Sequence, residues 1–269
     1  MIIIGEKLNG AIPSVAEAIV KKDAGAIKAL AIAQTDAGAD YLDVCAGTEP
    51  DKEYETLVWM LEIVQAASDL PICIDSPDQD MLKRVLPAIG KPGIINSVSG
   101  EGSKCDVLYP LLRDNAGWQV VALTCDDSGI PSDAAKKAEI AFRLISKAGE
   151  YGISPGRIFI DPLVLSLSAV NDSMLSFMEA IRQIKAQHPA VKFTSGLSNI
   201  SYGMPARKLI NQGFLTLAIS AGMDSAIMDP MNRGMMETVL AAEALLGKDK
   251  YCRKYNKAYR EGRLGSKKI

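Results

Sequence analysis

The sequence is short of the residues on which most metal and nucleophilic sites are built. It holds one histidine, His188, in the stretch KAQHPAVKF between a helical and a strand-like segment. That argues against a Ser-His-Asp triad and against a cluster of imidazole metal ligands, and leaves His188 as a surface loop residue. The five cysteines, Cys45, Cys73, Cys105, Cys125 and Cys252, include no C-x-x-C pair, so neither a disulfide framework nor a zinc ribbon is indicated and free thiols are expected. No apolar run approaches the ~20 residues that span a bilayer. The opening MIIIGEKLNG lacks the positive region and the long apolar stretch of a signal peptide. A soluble, cytoplasmic protein is therefore expected. A net charge of −2 offers no general attraction for nucleic acid, although nine Lys and Arg stand against Asp249 and Glu261 between Lys248 and Lys268, leaving the remainder acidic.

What is present is a regular alternation. Eight short apolar runs have strand character: IIIG at 2–5, YLDV at 41–44, ICID at 72–75, GIINS at 93–97, QVVALT at 119–124, RIFID at 157–161, KFTSG at 192–196 and SAIMD at 225–229. Runs this apolar suit strands covered on both faces. Stretches of helical periodicity separate them, such as 133–150, with Ala138, Phe142, Leu144, Ile145 and Ala148 on one side, and 173–188, with Met174, Phe177, Ile181 and Ile184. Gly38, Gly152 and Gly222 each stand where a helix should end before the next strand. The first turn, G-E-K-L-N-G, lacks the glycine pattern of an open dinucleotide-binding sheet. A spacing of roughly 30 residues from strand to strand fits a single closed (β/α)8 barrel, an α/β fold that typically uses about 250 residues. The barrel is expected over 1–247, followed by a basic C-terminal helix or tail over 248–269.

A barrel of this kind carries its active site at the C-terminal ends of its strands. Those ends supply Glu6 and Asn9, Asp43 and Cys45, Asp75 and Ser76, Asn96 and Ser97, Thr124 and Asp126, Asp161, Ser198 and Asn199, and Asp229 and Asn232. Each alone is an ordinary turn or helix-cap residue; together they describe a mouth lined by carboxylates and amides. Lys7 is the only basic residue among these segments, and no glycine-rich cradle follows the last strands, which argues against phosphate or Schiff-base chemistry. A transition-metal site is not expected, while Mg²⁺ or Ca²⁺ on oxygen ligands stays open. A neutral heterocycle with an amidine edge suits the lining best, because such an edge meets a carboxylate through two parallel hydrogen bonds.

The motifs GEKLNG, YLDVCAG, CIDSPD, IINSVSG, LTCDDSGIP, IFIDPLVL, GLSNISYGMPARKLIN and the late MDP resemble, in order and across nearly the whole chain, those of the methyltetrahydrofolate:corrinoid protein methyltransferases. These are relatives of the pterin-binding module of cobalamin-dependent methionine synthase and of dihydropteroate synthase. The resemblance implies that Asp75, Asn96 and Asp161 hold the pterin edge and that Gly196 and Ser198 line the same pocket. It also implies that Asn199, the catalytic residue, lies near the N5 nitrogen. Glu6, Asn9, Asp43, Cys45, Asp126 and Asp229 are candidates for the wider pocket. Two positions depart from the pattern, Cys45 and Asp126, where the family pattern leads one to expect Asn. The implied substrates are tetrahydrofolate or 5-methyltetrahydrofolate and a corrinoid carried by a partner protein. The implied setting is anaerobic one-carbon metabolism (O-demethylation, betaine or methylamine demethylation, or acetogenesis), with a homodimer as the assembly and no intrinsic metal. Alternatives are a dihydropteroate synthase-like enzyme, a non-catalytic pterin-binding protein, and an unrelated barrel lyase or hydrolase using Asp75 and Asp161 as acid and base. In the tail, Tyr251, Tyr255 and Tyr259 recur every four residues and are expected on one helix face, packed on the barrel or on a second subunit.

Overall fold

All eight apolar runs become strands, and every strand is followed by at least one helix on the outside of the sheet. In the computed structural model, which describes residues 1–265, β1 (Ile2–Asn9) leads to α1 (Pro13–Val20) and α2 (Ala24–Asp36). Then come β2 (Tyr41–Cys45), α3 (Pro50–Ala67), β3 (Ile72–Asp75), α4 (Gln79–Val85), β4 (Ile94–Gly100), α5 (Lys104–Asp114), β5 (Gln119–Asp126) and α6 (Ala134–Glu150). The last units are β6 (Ile158–Asp161), α7 (Ser173–Gln187), β7 (Lys192–Phe193), α8 (Arg207–Ala221), β8 (Ser225–Met228) and α9 (Arg233–Leu245), with α10 (Arg253–Arg260) as an addition. The strands are parallel and ordered β7-β6-β5-β4-β3-β2-β1-β8. The ends of that row meet: the Asp224 amide donates to the Phe193 carbonyl at 2.9 Å, the Ile227 amide donates to Ser195 at 3.0 Å, and Gly196 bridges Ile227. This is the (β/α)8 barrel. Gly38, Gly152 and Gly222 have φ of 96°, 72° and 115°, a left-handed turn that glycine adopts without cost at the end of a helix.

Side chains alternate between two cores. The outward set packs against the helices. The inward set includes Ile4, Cys73, Ile94, Val121 and Phe159, a separate buried layer across the barrel axis. Below it, Gln119 Nε2 donates to the Tyr41 hydroxyl at 3.0 Å, and Lys192 Nζ donates to Gln119 Oε1 at 2.9 Å while lying 4.7 Å from the centre of the Phe159 ring. Polar groups thus close the floor, and the mouth opens at the other end.

Two expectations need correction. Tyr251 precedes α10 with φ 57°, so the three tyrosines do not share one helix face, and they are exposed rather than packed on the barrel. A single buried residue, Ala258, anchors α10, and the chain then returns to the start of α9, where Arg233 Nη2 donates to the Gly262 carbonyl at 3.0 Å. The last four residues of the expected basic tail lie outside those described. His188 caps the C-terminal end of α7 half-buried against Phe142, with ring centres 5.5 Å apart.

The mouth depends on one close approach. The Gly10 amide donates to the Cys45 carbonyl at 3.0 Å, and a Cβ at Gly10 would overlap the neighbouring Ala46 carbonyl. Gly10→Ala is expected to destabilise the fold by about 3 kcal/mol, the upper part of the usual overpacking range, read as a lowered midpoint in denaturant unfolding. An unchanged midpoint would show that the β1 and β2 ends are free to separate.

Candidate functional site

Above the apolar layer, the same inward alternation carries a polar one. Register aligns Cys45 with Asp75 and Asp75 with Asn96, so three strand ends place their side chains side by side. With Glu6, Asp43 and Asp161 they line a cavity of about 860 Å³ at the mouth, which Asn9, Gly196, Ser198 and Asn199 also border. One pocket therefore collects most of the residues singled out in the sequence. Asp126 is outside this lining: it receives hydrogen bonds from Ser128 and pairs with Arg143 of α6. Asp229 is likewise outside the lining but close behind it, 3.8 Å from Lys7 Nζ, with one oxygen accepting from the Met231 amide at 2.9 Å.

The pocket also holds residues that strand ends could not reveal. Lys104 starts α5, while Arg207, Lys208 and Asn211 come from the first turns of α8. Lys7 is therefore not the only cation at the mouth. Arg207 is held by Ser201 Oγ at 3.0 Å and by the Ser198 carbonyl at 2.8 Å, and Lys104 pairs with Glu101 at 2.8 Å. The sequence signal for Arg207, Lys208 and Asn211 is the run PARKLIN, three residues beyond the SNIS turn; Lys104 carries none.

Burial dominates the electrostatics. It pushes Asp75 up to about 6, an effect that a hydrogen bond from Cys45 opposes and the Glu53 charge reinforces. Asp161 also rises to about 6 through burial, against the Leu163 and Gly196 amides and the Lys137 charge. Asp43, fully buried and beside Asp75, lies well above the ordinary carboxylate range, and Asn96 Nδ2 reaches one of its oxygens at 3.5 Å. Burial and then the Asp229 carboxylate carry Glu6 to about 7, with Lys7 and Arg207 opposing. Cys45 and Cys73 are raised too, chiefly by burial, so both stay thiols at neutral pH and neither serves as a thiolate nucleophile. The cavity is thus rich in acceptors short of donors, the complement of a ring edge bearing several N–H groups.

Asn199 sits in a short 3-10 turn, Leu197–Ser201, directly after β7. A Cβ on Gly196 would stand 3.2 Å from Asn199 Nδ2, so the bare glycine leaves room for that amide at the cavity edge. Ser76 also borders the cavity, but its hydroxyl donates to buried Glu53 at 2.6 Å, and Asp78 caps α4 through the Asp80 amide at 2.9 Å. Among the described residues, no group of three or more His, Cys, Asp or Glu is arranged to hold a metal ion, and no helix is long and apolar enough to cross a membrane.

Residues 5–229 match the family described as pterin binding enzyme. The chain is 54% identical over 266 residues to a methylcorrinoid:tetrahydrofolate methyltransferase of Eubacterium limosum, covering 98% of each. It is 34% identical over 251 residues to methionine synthase of Mycobacterium tuberculosis, matching 87% of this chain and 21% of that much longer protein. Among solved structures, dihydropteroate synthases of Xanthomonas albilineans and Yersinia pestis align over 91% of the chain with TM-scores of 0.67 and 0.64, at 17% and 14% identity, a likeness of fold.

The raised carboxyls make a stability statement. Asp161 favours its proton in the folded state, so its contribution is fully present below the unfolded value near 4 and is lost as pH rises through about 6. Comparing Asp161→Asn with the parent, the stability difference should shift in favour of Asn by about 2–3 kcal/mol between pH 4 and pH 7.5. Denaturant unfolding at both pH values measures it; a pH-independent difference would mean that folding leaves the Asp161 carboxyl at its unfolded value.

Proposed function

The chain belongs to the pterin-binding enzyme family, and within it we propose methyl transfer between N5 of tetrahydrofolate and the cobalt of a corrinoid protein, with the methylcorrinoid as donor. The observation that carries this reading is the convergence of Asp75, Asn96, Asp161 and Asn199 in one cavity, in a chain whose full-length relative bears that activity in its name. Asp75 and Asp161 accept from the N–H groups of the pterin, and Asn96 both donates and accepts along the same edge. Gly196 and Ser198 shape the wall beside the reacting nitrogen.

Asn199 has the chemical task. When the N5 lone pair attacks the methyl carbon, the carbon–nitrogen bond forms as the cobalt–carbon bond breaks, and both electrons of that bond remain on cobalt. Positive charge develops on N5, which then releases its proton. The Asn199 amide oxygen accepts from the charged N–H, and in the reverse direction its NH₂ group donates to N5 as the amine leaves. An amide can serve both directions because it does not ionise. The corrinoid arrives on a partner protein that covers the mouth. The setting proposed is anaerobic O-demethylation or the related demethylation of betaine or methylamines, or acetogenesis, by a homodimer in the cytoplasm.

Titration calorimetry with (6S)-5-methyltetrahydrofolate, followed by reduced cobalamin and the cobalt spectrum, separates binding from transfer. Asn199→Ala is expected to lower the transfer rate by about 10²–10³ with little change in affinity, whereas Asp75→Ala mainly weakens binding, by roughly ten- to a hundredfold. Absence of binding by the parent protein would remove the reading.

Because a pterin edge binds carboxylates rather than carboxylic acids, affinity is expected to weaken as pH falls through about 6, where Asp75 and Asp161 take up protons. Calorimetry near pH 6 in two buffers of different ionisation enthalpy should register proton release; equal heats in both buffers would contradict it.

A further inference from the structure

Behind Asp161, outside the pocket, lies a lysine that the reaction does not touch. Lys137 of α6 is completely buried, and its Nζ donates to the Leu163 carbonyl at 3.0 Å. Leu163 has φ 49°, a left-handed conformation that a side-chain-bearing residue holds only where its surroundings enforce it. In that conformation its own amide turns back and donates to Asp161 Oδ1 at 2.8 Å, while the residue also borders the cavity. Lysine is rarely buried without a reason, since the desolvated ammonium is costly.

We infer that Lys137 is a positioning residue for Asp161: from behind the barrel wall it fixes the left-handed Leu163 turn, and through that turn it sets the orientation and ionisation of a carboxylate in the ligand pocket. The charged groups around it agree. Asp161 on β6, Asp133 at the start of α6 and Asp172 at the start of α7 all favour the ammonium, against a burial that lowers it to about 8. In return, the Lys137 charge draws Asp161 toward its ionised form. Asp75 has the opposite backing, the carboxylate of Glu53, so the two cavity walls are charged differently from behind.

The inference rests on the pterin-binding reading for its functional consequence, but one of its tests needs no ligand. The Asp161 carboxyl can be titrated by ¹³C NMR in the ligand-free parent, Lys137→Met, Lys137→Gln and Lys137→Arg proteins. Both neutral variants should titrate higher by about one pH unit, and Arg should stay near the parent. Methyltetrahydrofolate affinity should then drop about twofold at pH 7 and approach a roughly tenfold loss near pH 5 in Lys137→Met, its acid limb moved upward, and Arg should restore both. If Met does not fold, Gln, which keeps a donor for Leu163, still reports the titration. An unmoved Asp161 titration in the neutral variants overturns the inference. A uniform loss of affinity at every pH does so too, since a purely structural lysine would produce it. Failure of the parent to bind folate, with the NMR shift present, strikes the proposed function alone.

Discussion

The constraint on which the rest depends is the two-residue alternation of strands closed into a barrel. Once Ile4, Cys73, Ile94, Val121 and Phe159 fill the axis, the residue two positions further along a strand must face the same interior, one layer higher. That single rule delivers Glu6, Asp75, Asn96, Leu123 and Asp161 to the mouth. Apolar burial below holds in place the polar burial above, which no chain would adopt for its own sake.

Desolvation then does for this site what a metal does for others. Carboxylates withdrawn from water and placed near one another hold protons more strongly than usual, and each becomes sensitive to small differences in what stands behind it. The same four-carbon acid is thereby tuned separately on the two walls by Glu53 and by Lys137. A site without histidine still has groups that change charge near neutrality, Glu6 foremost among them.

How much of this could be read from the chain alone varies with sequence distance. The strands were legible because apolar runs of four to eight residues between helical stretches permit little else, and the strand ends followed from them. β7 is shorter than its apolar run suggests, since Thr194 to Gly196 bend toward β8 instead of pairing as a strand. Asp126 stands three residues past Leu123, on the outward side of its strand, where Arg143 meets it; a list of strand ends ignores that parity. Arg207 and Lys208 were hidden for another reason, because they enter from a helix whose start the loop geometry determines. Lys137 gave no signal at all, as a lysine on a helix reads as solvated until the tertiary structure covers it. The tyrosine spacing of four was a true pattern in the sequence, but the turn at Tyr251 interrupts the helix that would have given it meaning.

The closed floor has a consequence for order in time. With Gln119, Tyr41 and Lys192 bonded across the bottom of the barrel, the cavity is a well with one opening, and everything that enters must leave by the same route. A flat ring inserted edge-first exposes its reactive side to that opening, and a large protein seated there blocks the way out. Under the proposed reaction, this shape favours a small molecule that enters before its larger partner and leaves after it.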